Sequence, residues 1–150
     1  MKKLIKKQLN VYCTERLKSR LLFFAMPKCG STSGRIFLEK LGIDWHYHNL
    51  RSDNFIELFE RVDLDERFIF TFIREPVERI YSAYRYLKQG GENPADLEDS
   101  QRWLSGADFD EFVKTQFNHG DHSPILKQLH FRPMVDWIQK PDGSFVTDAI

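Results

Sequence analysis

The residues that most constrain this chain are 27–33, Pro-Lys-Cys-Gly-Ser-Thr-Ser, set directly behind the apolar run Leu21–Met26 and ahead of a helical pattern. A strand, a short Gly/Ser/Thr turn carrying a lysine, and a helix build an anion site in that order. Backbone N–H groups and the helix N-terminus point at a phosphate, hydroxyls add donors, and Lys28 supplies a full charge. The string is not a Walker A loop, because G-x-x-x-x-G-K-S/T occurs nowhere in the chain. The expected ligand is a phosphate-bearing group other than an NTP held in the usual way. The plainer reading of the same residues is a tight turn with a Ser/Thr helix cap.

A second segment favours the anion site. Arg67–Ile73 (RFIFTFI) is rich in β-branched and aromatic residues and short enough for a buried strand. Arg74-Glu75-Pro76 follows, then an amphipathic helix over Val77–Lys88, with Pro76 suited to the first helical turn. Arg74 thus falls at the carboxyl end of a strand, and Ser82 comes eight residues later, about two turns into the helix. An arginine fork can grip a phosphate and a serine hydroxyl can complete the grip. The competing reading pairs Arg74 with Glu75 or Glu78 and makes Ser82 a small packing residue.

FFAMPKCGSTS followed by FIREPVERIYSAYRYL resembles the paired donor-binding motifs of sulfotransferases that use 3′-phosphoadenosine 5′-phosphosulfate (PAPS), most of all the branch that sulfates carbohydrates. The resemblance runs loosely from Leu21 to the C-terminus. It implies that the first loop, with Lys28, Cys29, Gly30, Ser31, Thr32 and Ser33, wraps the 5′-phosphosulfate, and that Lys28 contacts the leaving phosphate. It implies equally that Arg74 and Ser82 hold the 3′-phosphate. The chemistry suits these residue types. Sulfuryl transfer, like phosphoryl transfer, is an in-line displacement through a loose transition state with charge gathering on the leaving oxygen. A preorganised lysine and N–H groups stabilise that charge.

The attacking hydroxyl must also lose a proton, which calls for a general base. Trp45-His46-Tyr47-His48-Asn49-Leu50 offers one, since on a strand His46 and His48 share a face. Histidine, with an unperturbed pKa of ~6.5, can take that proton at neutral pH. A zinc pair is the first alternative, although His-x-His lacks a convincing third and fourth ligand. A solvated polar face is the second. Heparan-type 2-O-sulfotransferases carry a similar His-x-His ahead of the second motif. That resemblance implies His48 as the base, with His46 as a supporting or substrate-binding partner.

The formal charge is zero, yet residues 1–20 carry a net +6 and the remainder −6. A basic N-terminal arm attracts polyanions or membrane surfaces, although such a run is more often a solvated helix face. Nucleic acid is the poorer partner, because the rest of the chain is acidic. The longest apolar stretch near the N-terminus, Leu21–Met26, is too short for a signal peptide or a membrane span. Golgi carbohydrate sulfotransferases are membrane-anchored. The chain departs from them there, and reads as a soluble, cytoplasmic, bacterial-type relative or as a form with its anchor removed. Cys13 and Cys29 do not make a disulfide framework, and Cys29 reads as a small neutral filler in the phosphate loop.

At 150 residues the chain fits one domain burying about 68–70% of its unfolded surface. Residues 1–20 read as a basic arm and 21–150 as a single α/β domain. Strands and helices alternate, which gives the expected fold class: α/β, a P-loop-like three-layer α/β/α arrangement around a mostly parallel sheet. Expected strands are Leu21–Met26, Asp44–His48 and Phe68–Ile73. Expected helices are Thr32–Leu41, closed by Gly42, then Asn54–Val62, and the long one ending at Lys88. Both phosphate motifs then lie at carboxyl ends of strands, where open α/β sheets bind ligands.

The second half is read as a mobile acceptor-binding excursion over 90–107 and a capped helix from Asp108. A helix exit at His119-Gly120-Asp121-His122 is preferred to a metal site. Lys140-Pro141-Asp142-Gly143 reads as a turn into a strand beginning at Phe145. His130-Phe131-Arg132-Pro133 resembles a family segment that continues with glutamine, where this chain has Met134. The family continues beyond the strand at Phe145, so the chain reads as C-terminally truncated.

The expected activity is sulfuryl transfer from PAPS, without a metal, to a hydroxyl acceptor such as a carbohydrate. Two other classes stay open. A non-catalytic nucleotide- or glycan-binding module is one. A P-loop kinase is the other, but it should show a Walker lysine and an acidic strand end where this chain has Arg74.

Overall fold

The computed structural model describes residues 21–47, 67–140, 142–148 and 150, with backbone alone for 44–47. These fall into two compact units. One holds the segment ending at Met26, Gly30–Phe72 and Ile138–Ile150; the other holds Pro27–Cys29 and Ile73–Trp137.

The first unit is built on three parallel strands, β1 (Leu21–Ala25), β2 (Asp44–Tyr47) and β3 (Phe68–Thr71), in the order β2-β1-β3. The central β1 buries Leu22, Phe23, Phe24 and Ala25. That matches its unbroken apolar sequence, since a strand covered on both faces has no polar side to show. Phe23 stands opposite Trp45 on one side and Phe70 on the other. The Thr71 hydroxyl donates to the Phe24 carbonyl at 2.7 Å, so a buried polar group is satisfied inside the sheet.

Helix α1 (Ser31–Lys40) makes the crossover that parallel β1 and β2 require. It approaches the sheet at Gly34, where an added Cβ would lie 3.0 Å from the Phe72 ring and 3.2 Å from that of Phe23. Leu38, Ile43 and Phe70 complete this core. The expected helix over Asn54–Val62 lies outside the described residues.

The end of the chain joins the same unit. Ile69 of β3 donates its N–H to the Asp148 carboxylate and accepts from the Asp148 N–H, both at 2.6 Å. Pro141 of the expected turn lies outside the described residues; on either side of it the Lys140 N–H donates to the Ser144 carbonyl at 2.7 Å and the Gly143 N–H to the Lys140 carbonyl at 2.9 Å. The expected strand from Phe145 is only a single antiparallel bridge between Gln139 and Phe145. Val146 donates to Ile138, but Asp148 then turns to β3 and the pairing stops.

The second unit is helical: α2 (Pro76–Lys88), α3 (Pro94–Leu104), α4 (Phe109–Gln116), two 3-10 turns at Gly120–His122 and Pro124–Lys127, and the start of the short α5 (Val135–Ile138). Glu75 caps α2 by accepting the Glu78 N–H at 2.7 Å, and Pro76 takes the first turn, where its missing donor costs nothing. Asp108 caps α4 as expected, accepting from Glu111 at 2.9 Å. Ala83, Tyr84, Leu87, Leu104, Phe112, Ile125 and Phe131 form the core.

The expected excursion over 90–107 is wrong in its main part, because Pro94–Leu104 is helical. Pro94 starts that helix. Asn93 is its N-cap, accepting from the Asp96 N–H at 3.1 Å. Gly90 and Gly91, at φ +89° and +66°, turn the chain out of α2.

Candidate active site

The loop after β1 is shaped by two residues in the left-handed region. Gly30 is there at φ +77°, as suits glycine, and Lys28 at φ +64°, which a side chain adopts rarely and at a cost. Gly30 is the N-cap of α1 and offers no side chain to the first-turn N–H groups, although its carbonyl accepts from Gly34 at 2.9 Å. A Cβ at Gly30 would meet nothing within 4 Å. Thr32 and Ser33 are exposed, and Ser31 is buried. An uncapped helix start beside open space suits an anion.

Pro27–Cys29 belongs to the helical unit, and there the loop meets its partners. The half-buried Lys28 places Nζ 3.8 Å from the centre of the Tyr86 ring. Burial pushes its pKa below the usual lysine value; Glu92 and Asp96 oppose that and Arg74 adds to it. Cys29 is buried, with Sγ 3.7 Å from the Met134 sulfur. Burial raises its thiol pKa, against the pull of the Arg79 guanidinium and of the Arg74 N–H. The Cys29 thiol is therefore neutral, and the Met134 thioether packs on it.

Arg74 follows β3, and its Nε lies 3.3 Å from Glu78 Oε2 in an ion pair whose members are 39% and 65% exposed. The salt-bridge reading of Arg74 is thus realised, but by a pair that water screens and that contributes little. Ser82 is half-buried on α2. The structure brings Lys28, Cys29 and Arg74 into mutual electrostatic reach, while the Ser82 hydroxyl makes no side-chain hydrogen bond among the described residues. His46 lies on β2 in register with Phe24. His48 lies outside the described residues.

Sequence reasoning missed two features. Arg79 is 3% exposed, donating from Nε to the Pro27 carbonyl at 3.1 Å and from Nη1 to the Arg132 carbonyl at 2.8 Å. Its Nη2 has no hydrogen-bond partner among the described residues. A signal was present: Arg79, Ala83 and Leu87 are spaced by four on the buried face of α2.

The second feature is a buried network under Lys28. Asp96 Oδ2 accepts from the Tyr86 hydroxyl at 2.6 Å, from Asn93 Nδ2 at 2.7 Å and from the Glu92 N–H at 3.1 Å. Its Oδ1 faces His130 Nε2 at 3.2 Å. Burial alone would raise the Asp96 pKa, yet the donors around it hold it below the usual carboxylate value. Burial lowers that of His130, so the imidazole is neutral and donates from Nε2. No spacing rule points to these residues.

Among the described residues, no group of three or more His, Cys, Asp and Glu could hold a metal ion, and no helix is long and apolar enough to cross a membrane. Gly120 opens an exposed 3-10 turn between His119 and Ser123.

A lysine-bearing loop between a parallel strand and a helix without a side-chain cap, with an arginine three residues past the neighbouring strand, is a mixed α/β arrangement whose chemistry suits an anion. Residues 16–145 match the family model of the sulfotransferase family, and the chain belongs to that family. No curated protein and no solved structure matches it. Family membership supports sulfuryl transfer to a hydroxyl-bearing acceptor as the class of reaction.

Proposed function

We propose that this chain is a PAPS-dependent sulfotransferase that sulfates a carbohydrate hydroxyl. The observation that carries the reading is the approach of the two motifs: the Arg74 charge bears on both Cys29 and Lys28. Two cationic side chains, with no ion pair on Lys28 among the described residues, suit a doubly phosphorylated ligand. PAPS supplies the activated sulfuryl group when bound. The N–H groups of residues 29–33 and the hydroxyls of Ser31, Thr32 and Ser33 hold its 5′ side, and Lys28 stabilises charge on the leaving phosphate. Arg74 and Ser82 hold the 3′-phosphate. His48 removes the acceptor proton, with His46 as a supporting or substrate-binding partner.

On this reading the β2-β1-β3 sheet is the core of a P-loop-like three-layer α/β/α fold, residues 21–150 form the catalytic domain and 1–20 a basic arm. A buried free thiol at Cys29 suits a reducing, cytoplasmic setting.

The test is calorimetric titration with 3′,5′-adenosine bisphosphate, AMP as control and magnesium omitted, followed by transfer from labelled PAPS to a panel of glycans. Binding only of the 3′-phosphorylated ligand, with metal-free transfer, supports the proposal. Binding without transfer to any acceptor favours the non-catalytic module, for which the Arg74–Glu78 pair and Met134 speak. An absolute need for magnesium favours a kinase.

A further inference from the structure

Lys28 combines an unusual backbone with an unusual partner. Its φ of +64° aims the side chain from a strained position, and a lysine stem has four rotatable carbons over which that aim can be lost. Yet Nζ rests 3.8 Å from the Tyr86 ring centre, and among the described residues it makes no ion pair. The ring under it cannot swing. Its hydroxyl donates to Asp96 at 2.6 Å and accepts the Glu92 N–H at 3.1 Å, and its edge meets the His130 ring at a centroid distance of 4.9 Å. Asp96 is fixed in turn by Asn93 and His130. Gly91 makes room for it, since a Cβ there would lie 2.1 Å from that of Asp96.

The choice of partner matters chemically. A carboxylate in contact with the ammonium would occupy its donors and compete with an anionic ligand. An aromatic face attracts the charge without accepting a directional hydrogen bond, so all three N–H donors stay available. Glu92 and Asp96 act on Lys28 from beyond bonding distance.

We propose that Tyr86 is the positioning residue for Lys28: its ring, locked by Asp96 and His130, holds the ammonium in place while leaving its donors free for the leaving phosphate. The inference rests on the sulfotransferase reading for the role of Lys28, but the contact itself does not.

The experiment compares the parent with Tyr86→Leu, which removes the ring, and Tyr86→Phe, which keeps the ring but frees it from Asp96. Proton–carbon NMR reads the Lys28 Cε protons, assigned with Lys28→Arg. They should lie upfield in the parent and Tyr86→Phe, and return to ordinary lysine values in Tyr86→Leu. Turnover from PAPS should fall about 10- to 100-fold in Tyr86→Leu, the scale of a misplaced catalytic group. The affinity for 3′,5′-adenosine bisphosphate should stay close to the parent's, and Tyr86→Phe should lose less turnover. Ordinary Lys28 shifts in the parent, or parent-like turnover in folded Tyr86→Leu, overturn the proposal. If circular dichroism finds Tyr86→Leu unfolded, the parent shift and a kcat-only loss in Tyr86→Phe carry the test; either one missing overturns it. A folded parent that binds no bisphosphate overturns the sulfotransferase reading instead, and the Lys28 shift then decides the ring contact alone.

Discussion

Arg79 donates from Nε to the carbonyl of Pro27 at 3.1 Å, tying the middle of α2 to the residue immediately before Lys28. The same guanidinium holds the Arg132 carbonyl at 2.8 Å. A buried cation with no carboxylate partner among the described residues is costly, and burial pulls its pKa below the usual arginine value. What offsets that cost is the pair of carbonyls, which no apolar side chain could satisfy.

Arg79→Met should therefore destabilise the fold by about 1.5–3 kcal/mol, the scale of a lost hydrogen bond to a charged group. Arg79→Lys should not rescue it, because a single ammonium lacks the planar fork that reaches two carbonyls. Urea denaturation monitored by tryptophan fluorescence checks both. A parent-like midpoint for Arg79→Met would show that the clamp is dispensable.

Gly91 offers a cleaner steric test. Both Gly91 and Gly106 have positive φ, +66° and +80°, but an added Cβ meets Asp96 at 2.1 Å at the first and nothing within 4 Å at the second. Gly106→Ala should cost about 1 kcal/mol for its backbone alone, and Gly91→Ala about 1–3 kcal/mol more for overpacking. Equal losses by urea denaturation would mean that Asp96 relaxes freely and that its network is soft.

Some of this was legible and some was not, for physical reasons. β1, β3 and the start of α2 follow from local pattern: an apolar run buried on both faces, and Pro76 at a helix start. Asp108 was readable as a cap because a cap is a local bond to Glu111. Asn93-Pro94 carried the same kind of signal, but the two preceding glycines masked it. The Tyr86–Asp96–His130 network joins three segments through tertiary contact, so no periodicity encodes it. Arg79 lies between, since its place on an apolar stripe was visible while its carbonyl partners were not.

The network also sets a pH response. Burial lowers the His130 pKa from 6.5, with Asp96 pulling partly back, so folding favours the neutral ring. The stability from this group is complete above pH 6.5 and declines as pH falls below that value toward the depressed folded pKa. Asp96 is held below 3.8 despite its burial, so its contribution is complete above 3.8 and is lost only at lower pH. Melting temperature should thus drop between pH 7.5 and 5 in the parent and drop less in His130→Gln. An identical drop in the variant would assign the acid sensitivity to other groups.

Arg74 leads to a pair of opposite outcomes. Its bond to Glu78 is solvent-exposed and worth about 0.2–1 kcal/mol at most, so a phosphate can take the guanidinium over. Arg74→Ala should weaken 3′,5′-adenosine bisphosphate about 10- to 100-fold, the equivalent of a charged hydrogen bond, with little effect on AMP. Glu78→Gln should tighten the bisphosphate by up to about fivefold, because Arg74 no longer has a competitor. Calorimetry on the two variants decides. Unchanged affinity in Arg74→Ala would remove the 3′-phosphate role from this residue.

On the proposed function Lys28 is the charge stabiliser and His48 the base, so their variants should fail differently. On that reading Lys28→Ala removes a donor for charge that develops only in transfer. It should cut kcat about 10²–10³-fold while the bisphosphate still binds. His48→Ala should abolish transfer with binding intact, and the acidic limb of the parent's rate profile should go with it. Single-turnover transfer across pH 5–9, with calorimetry on the same samples, separates the two. Retained transfer in His48→Ala would move the base to another group. Equal kcat in Lys28→Ala and the parent would leave the strained Lys28 backbone and its Tyr86 contact without a catalytic purpose.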